Sequence, residues 1–260
     1  MRQGLCIGIN DYPGTGSDLS GCVNDAHDWA DELTKRGFDV ATMLDAEATG
    51  AAMRDAIRHR VGAAASGDLV VITYSGHGTW VPDDDGDEPD RRDEALCPHD
   101  VARAGPLLDD ELYDLLSDRE RGVRVVMISD SCHSGTVARF APSTRAGADT
   151  VRFLPPGVFL PPETARRAAR MPRVAAGRPR HAALLMSGCT DLEYSYDAHF
   201  DGRPNGAFTY FALKALRELP ATATYRQWSA AIARSLPSQD YPQTPGLDGS
   251  STQRRWTVLS

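Results

Sequence analysis

The most constraining feature of the chain is VRVVMISDSCHSG, residues 123–135, where an apolar, β-branched run breaks abruptly into small and polar residues. The run 123–128 has the pattern of a strand buried on both faces of a parallel sheet. Cys132 follows it at the place where open α/β sheets put their chemistry, just beyond the carboxyl ends of the strands. A second stretch, DLVVITYSGHG at 68–78, has the same form and ends with His77 between Gly76 and Gly78. Adjacent buried strands of this kind bring a thiol and an imidazole to one sheet edge, although Cys132 and His77 lie 55 positions apart.

The rest of the chain supplies the layers such a sheet needs. Strands are predicted at 5–9, 38–44 and 68–74. Between them fall helices at 25–35, capped by Asn24, and from the cap Thr49 to about 65. Further along, 94–97 reads as a short strand or hairpin arm, and Asp109 and Asp110 open a helix running through Leu116. A buried strand at 182–186 leads to Cys189, and Asn205 is placed to cap a helix at 207–219. Residues 225–235 read as another helix, and 256–259 as a last strand. The alternation predicts an α/β fold, a mostly parallel central sheet of about six strands with helices on both faces.

Residues 139–180 break the pattern. They hold nine arginines against Asp149 and Glu163, a local balance of +7 in a chain whose net charge is −8. The segment lacks sustained periodicity and is predicted to be an exposed, mobile linker with one short helix near 164–170. The expected organisation is 1–138 with the His and Cys, 139–181 as a cleavable Arg/Pro-rich linker, and 182–260 completing the same domain. The acidic balance disfavours nucleic-acid binding and suits a basic partner. No membrane span or leader is visible, and the five scattered cysteines without CxxC spacing point to a reducing, cytoplasmic setting.

A cysteine beside a histidine is the equipment of covalent acyl transfer. The imidazole takes the thiol proton and returns it to the leaving amine. The backbone N–H groups of Gly78 and Cys132 are candidates for an oxyanion hole, where losing one donor can cost about 2.7–4 kcal/mol. Either residue alone is more often a strand-end cysteine or a loop histidine; the matched pair of contexts favours chemistry.

YSGHGT at 74–79 and DSCHSG at 130–135 resemble the two signatures of caspase-like peptidases, specifically metacaspases and their bacterial relatives, and LSGCVNDA at 19–26 is similar to a third family motif. The resemblance runs from Leu5 to about Gly135 and resumes at 184–216 and 243–245; the linker has no counterpart. It implies a caspase-like fold, Cys132 as nucleophile, His77 as base and cleavage after Arg, less often Lys. Asp25 and Asp130 then fall on the acidic pocket for that basic side chain, with Cys22 and Ser75 lining it. An arginine fork taken out of water wants a carboxylate, although an acid in a first helical turn, such as Asp25, is commonplace. His133 directly follows the nucleophile and in an extended segment faces away. Cys189 reads as packing near the cleft.

Many metacaspases need calcium, and the resemblance puts its acidic ligands at Asp93, Asp109 and Asp110. A fourth family acid is replaced here by Arg139, which argues against that site. Asp83, Asp85 and Asp87 alternate, but Gly86 is misplaced for an EF-hand, leaving a solvated acidic loop. The expectation is that no cofactor is required, with Ca2+ left open. The linker, tethered beside an arginine-selective cleft, is expected to be a pro-segment that occludes the pocket until it is cut by the enzyme itself or by an upstream protease. Expected substrates are proteins with exposed Arg or Lys. Competing readings are a catalytically idle module binding basic proteins, and peptide ligation through the same thioester.

Overall fold

The computed structural model describes residues 1–83, 91–132, 149–169, 182–190 and 193–260. In chain order the elements are β1 (Arg2–Gly8), α1 (Cys22–Lys35), β2 (Asp39–Leu44), α2 (Gly50–Gly62), β3 (Leu69–Ser75), β4 (Gly78–Pro82) and β5 (Arg92–Leu96). They continue with α3 (Val101–Ala104), β6 (Leu107–Leu108), α4 (Asp109–Ser117), β7 (Arg124–Asp130), β8 (Thr150–Val151) and α5 (Pro162–Ala169). The last are β9 (Leu184–Ser187), β10 (Tyr196–Phe200), β11 (Arg203–Gly206), α6 (Ala207–Glu218), α7 (Tyr225–Ile232) and β12 (Gly246–Asp248).

Six strands form the central sheet in the order β12-β9-β7-β3-β1-β2. All neighbours are parallel except β12, which runs antiparallel to β9. β3 is buried along its whole length, as its unbroken apolar run predicts. Alternate side chains divide the core into two layers. Leu5, Ile7, Val70, Ile72, Val125 and Met127 pack against Met53, Ile57 and Val61 of α2 and Leu115 and Leu116 of α4. The opposite face sends Cys6, Val71, Val126, Ile128 and Leu184 against α1, α6 and α7. The predicted α/β architecture, six strands with helices on both faces, is the one observed.

Gly8 sets the spacing between sheet and α1, because a Cβ there would overlap the Cys22 carbonyl oxygen and the Ala26 methyl group. β1 therefore ends in direct contact with the first turn of α1, the turn that carries Cys22 and Asp25. Register then aligns the working ends of the sheet: Ser75 of β3 pairs with Asp130 of β7.

Several local expectations are corrected. Asn24 does not cap α1, because Asn10 Oδ1 already accepts from the N–H groups of Cys22 and Val23. Its amide donates instead to the Pro204 carbonyl at 2.8 Å. Asn205 does not cap α6 either; Gly206 occupies that position without a side-chain bond, and Asn205 reaches back to Asp25 and Asp28. Residues 256–259 form no strand beyond a single bridge from Thr257 to Thr224; the edge strand is β12. The linker is corrected most. Its described part, 149–169, contains β8 and α5, and Arg152, Phe153 and Leu154 are buried. The short helix expected near 164–170 is α5. Arg139, His133, Asp85, Gly86 and Asp87 lie outside the described residues.

Trp228 joins two helices beneath the sheet. It is wholly buried, meets Trp29 edge-on at 6.0 Å, and donates its indole N–H to the Ala212 carbonyl at 2.9 Å. Trp228→Ala is expected to lower stability by about 3–5 kcal/mol, read as a shift in the urea midpoint at unchanged slope.

Candidate active site

The strand ends hold what the two motifs predict, and something between them that they do not. His77 lies in the two-residue turn between β3 and β4. Its N–H donates to the Tyr12 hydroxyl at 2.8 Å, and its carbonyl accepts from the Tyr74 hydroxyl at 2.7 Å and the Cys97 N–H at 3.0 Å. The ring is tilted against Tyr12, centroids 4.7 Å apart. Its Nε2 lies 2.6 Å from the Ser17 carbonyl oxygen, which only accepts, so Nε2 carries the hydrogen. In the neutral ring Nδ1 is then a bare acceptor, and it makes no hydrogen bond among the described residues. Burial pushes the imidazole down to about 4, against the Ser17 and Arg152 backbones, which favour its charged form.

Cys132 follows the end of β7, is fully buried, and packs with Trp80, Phe153, Ala168 and Cys189. Cys189 donates its thiol to the Ser131 carbonyl at 3.5 Å. Its interaction with Cys132, together with burial, pushes the Cys189 thiol well up.

The backbone N–H groups of Gly78 and Cys132 converge on one oxygen. Both donate to the carbonyl of Arg152, at 3.0 and 3.2 Å. The same residue's N–H donates to the Ser195 carbonyl at 2.9 Å, and β8, just before it, pairs antiparallel with β10. Beyond it, the Leu154 N–H donates to the Gly78 carbonyl at 2.9 Å, and Thr79 Oγ1 donates to the Leu154 carbonyl at 2.7 Å. The segment 150–154 thus lies extended across the strand ends, gripped on both sides of the Arg152–Phe153 peptide.

The Arg152 side chain enters the acidic pocket. Its Nη2 donates to Asp25 Oδ2 at 2.7 Å and Asp197 Oδ1 at 2.9 Å; its Nη1 lies 3.3 Å from Asp130 Oδ2 and donates to the Asp130 carbonyl at 3.2 Å. Each carboxylate is fixed by other donors. Asp25 accepts from the Gly206 N–H and the Asn205 amide, and Asp130 from Ser195 Oγ and from the Thr209 N–H and hydroxyl. Asp197 accepts from the N–H groups of Ser20 and Gly21. Burial, with Asp130 adding repulsion, pushes the Asp25 carboxyl up to about 7, while the Arg152 guanidinium pulls the other way. Gly206 must be glycine for this seat to exist, since a Cβ would overlap both Asp130 Oδ2 and Arg152 Nη1.

Of the residues expected at the site, Gly78, Cys132, Asp25 and Asp130 all contact Arg152, and His77, next to Gly78, is close enough to feel it. Cys22 is buried and close enough to feel the charges of Arg152 and Asp25. Ser75 is buried beside Asp130 on the next strand. Asp93 is on β5, and Asp109 and Asp110 open α4. No group of three or more His, Cys, Asp or Glu side chains able to hold a metal occurs among the described residues. Sequence reasoning missed Arg152, counted only as linker charge, and Asp197. The one faint signal for Arg152 was its apolar flanks, Val151, Phe153 and Leu154.

Comparison with known proteins agrees with this architecture. Residues 2–140 match the model of the metacaspase peptidase C14 domain. The chain is 40% identical over 144 residues to metacaspase-7 of Arabidopsis thaliana, covering 52% of this chain and 35% of that protein. It is 30% identical over 285 residues to metacaspase-1 of Mycosarcoma maydis, covering 96% of this chain and 70% of that one. The chain thus spans from about a third to about seven tenths of the length of these two curated relatives. The crystal structure of protein GSU0716 from Geobacter sulfurreducens superposes over 100% of this chain and 98% of its own, with TM-score 0.75 and 34% identity. Caspase-1 from Spodoptera frugiperda shares the fold, with TM-score 0.61 at 11% identity over 95% of this chain and 86% of its own. With its Cys and His motifs on a caspase-type sheet, the chain belongs to the metacaspase, peptidase C14, family.

Proposed function

We propose that this chain is an arginine-specific cysteine endopeptidase, accepting Lys less often, that rests as a zymogen with its own linker in the cleft. One observation carries the reading. The Arg152 carbonyl receives two N–H donors beside Cys132, while its guanidinium fills a pocket of carboxylates. That is the posture a scissile arginyl peptide needs before attack.

The chemistry follows from the seat. Cys132 Sγ attacks the Arg152 carbonyl carbon, and the negative charge appearing on its oxygen meets the N–H groups of Gly78 and Cys132. Nδ1 of His77 takes the thiol proton and gives it to the Phe153 nitrogen as the carbon–nitrogen bond breaks, leaving a thioester. Water, giving a proton to His77, then hydrolyses the thioester to the Arg152 carboxylic acid and restores the thiol. The linker is therefore cut in cis between Arg152 and Phe153. Other proteins with exposed Arg or Lys follow once the segment leaves. Five free, buried thiols suit a reducing compartment, which points to the cytoplasm; among the described residues no helix is long and apolar enough to cross a membrane.

Mass spectrometry of the purified protein is expected to find fragments ending at Arg152 and beginning at Phe153, with Cys132→Ala intact. Arg152→Ala is expected to abolish that cut yet turn over an added arginyl-aminomethylcoumarin peptide without processing. An uncut wild type of full activity would refute the linker's role. A wild type that is neither cut nor active on the peptide would favour the idle binding module.

The pH dependence of self-cleavage is set by His77. Its ring accepts the thiol proton only when neutral, and burial lowers it from 6.5 to about 4. The His77 limb of self-cleavage is therefore expected as a rise when pH climbs through about 4. A single-turnover pH series with no rise near 4 would contradict this.

A further inference from the structure

We infer that Asp197 is a specificity-determining residue: a third pocket carboxylate that makes the site select the arginine fork over a lysine ammonium. The inference rests on reading Arg152 as the occupant of the pocket that receives a substrate's basic side chain.

Asp197 stands on β10 and is 3% exposed, with Oδ1 2.9 Å from Arg152 Nη2. Its charge is held locally. Oδ2 accepts from the Ser20 N–H at 2.8 Å and the Ser20 hydroxyl at 2.9 Å, and Oδ1 accepts from the Gly21 N–H at 2.9 Å. These donors stand at the start of α1, where the helix end also favours an anion. Neutralising one guanidinium does not require Asp197, because Asp25 and Asp130 already flank it. Three carboxylates around one cation make sense only if the ligand has more than one charged nitrogen to share among them.

The contacts divide that way. Nη2 bridges Asp25 and Asp197, whereas Nη1 faces the Oδ2 and the carbonyl of Asp130. A lysine ammonium is a single point of charge. Seated between Asp25 and Asp197 it leaves Asp130 without its cation; seated at Asp130 it leaves the other two. Either way a buried carboxylate loses its counter-charge, which is costly in a desolvated pocket. Removing Asp197 deletes the second partner of Nη2 and brings the pocket closer to what one ammonium can satisfy. Arginine therefore loses more than lysine does.

The test compares self-processed wild type with Asp197→Asn on two peptides that differ only in Arg or Lys before aminomethylcoumarin. The expected result is a fall of roughly tenfold or more in kcat/KM for the Arg peptide and a clearly smaller fall for Lys, so that the Arg:Lys ratio drops. Because both peptides are read on one sample, the ratio does not depend on the fraction of protein that is folded. If Asp197→Asn does not fold, Asp197→Glu, which keeps the charge and shifts the oxygens by one methylene, is expected to lower the same ratio. An unchanged ratio in the folded variant overturns the role of Asp197 alone. Wild type that neither processes itself nor cuts either peptide overturns the peptidase reading itself.

Discussion

One desolvated guanidinium ties the molecule together. Arg152 meets acids carried by α1, β7 and β10, and those acids in turn hold the start of α6, the end of β11 and the loop before α1. Burying three carboxylates near one another is unfavourable without that cation. Removing one partner from such a buried cluster typically costs about 3–5 kcal/mol. The cation does not come from the sheet or its helices, but from the short stretch that follows β8.

The pocket therefore has two possible environments. With Arg152 inside, carboxylates and cation share a dry site and satisfy one another. On the proposed reading, withdrawal of the segment lets water in, and the acids are solvated until another basic side chain replaces it. An acidic pocket of this kind is stable when filled or wet, and poor when dry and empty. If the pocket takes a substrate's basic side chain as proposed, affinity for that residue is the same physical fact as the stability of the chain with Arg152 in place.

Much of this was legible in the sequence, for reasons that can be named. Apolar runs at β3 and β7 are long, uninterrupted and followed by glycine or small polar residues, so strand, position and burial all followed from local pattern. That His77 and Cys132 share an edge required only that two adjacent parallel strands end together. Asp25 and Asp130 were reachable through motif resemblance. What failed was either a competition among capping groups or a matter of tertiary partners. Asn24 has the right chemistry for a cap, but Asn10 arrives first. Asn205 is drawn away by Asp25 and Asp28. Arg152 looked like its eight arginine neighbours in 139–180, and only the fold shows that its carbonyl and its side chain have complementary partners waiting. Asp197 had no motif at all; its place depends on β10 meeting the loop before α1.

On the proposed reading of residues 150–154 as a blocking segment, the occupant of the cleft belongs to the same polypeptide, and this changes how the resting state responds to its surroundings. Dilution cannot dissociate a covalently tethered ligand, so the blocked population is the same in a crowded cell and in a dilute assay. An outside inhibitor has to outcompete a rival whose local concentration is fixed by chain geometry rather than by supply. Screening compounds against the uncut form would therefore understate their true strength, and a ranking made on it would reflect how readily residues 150–154 let go.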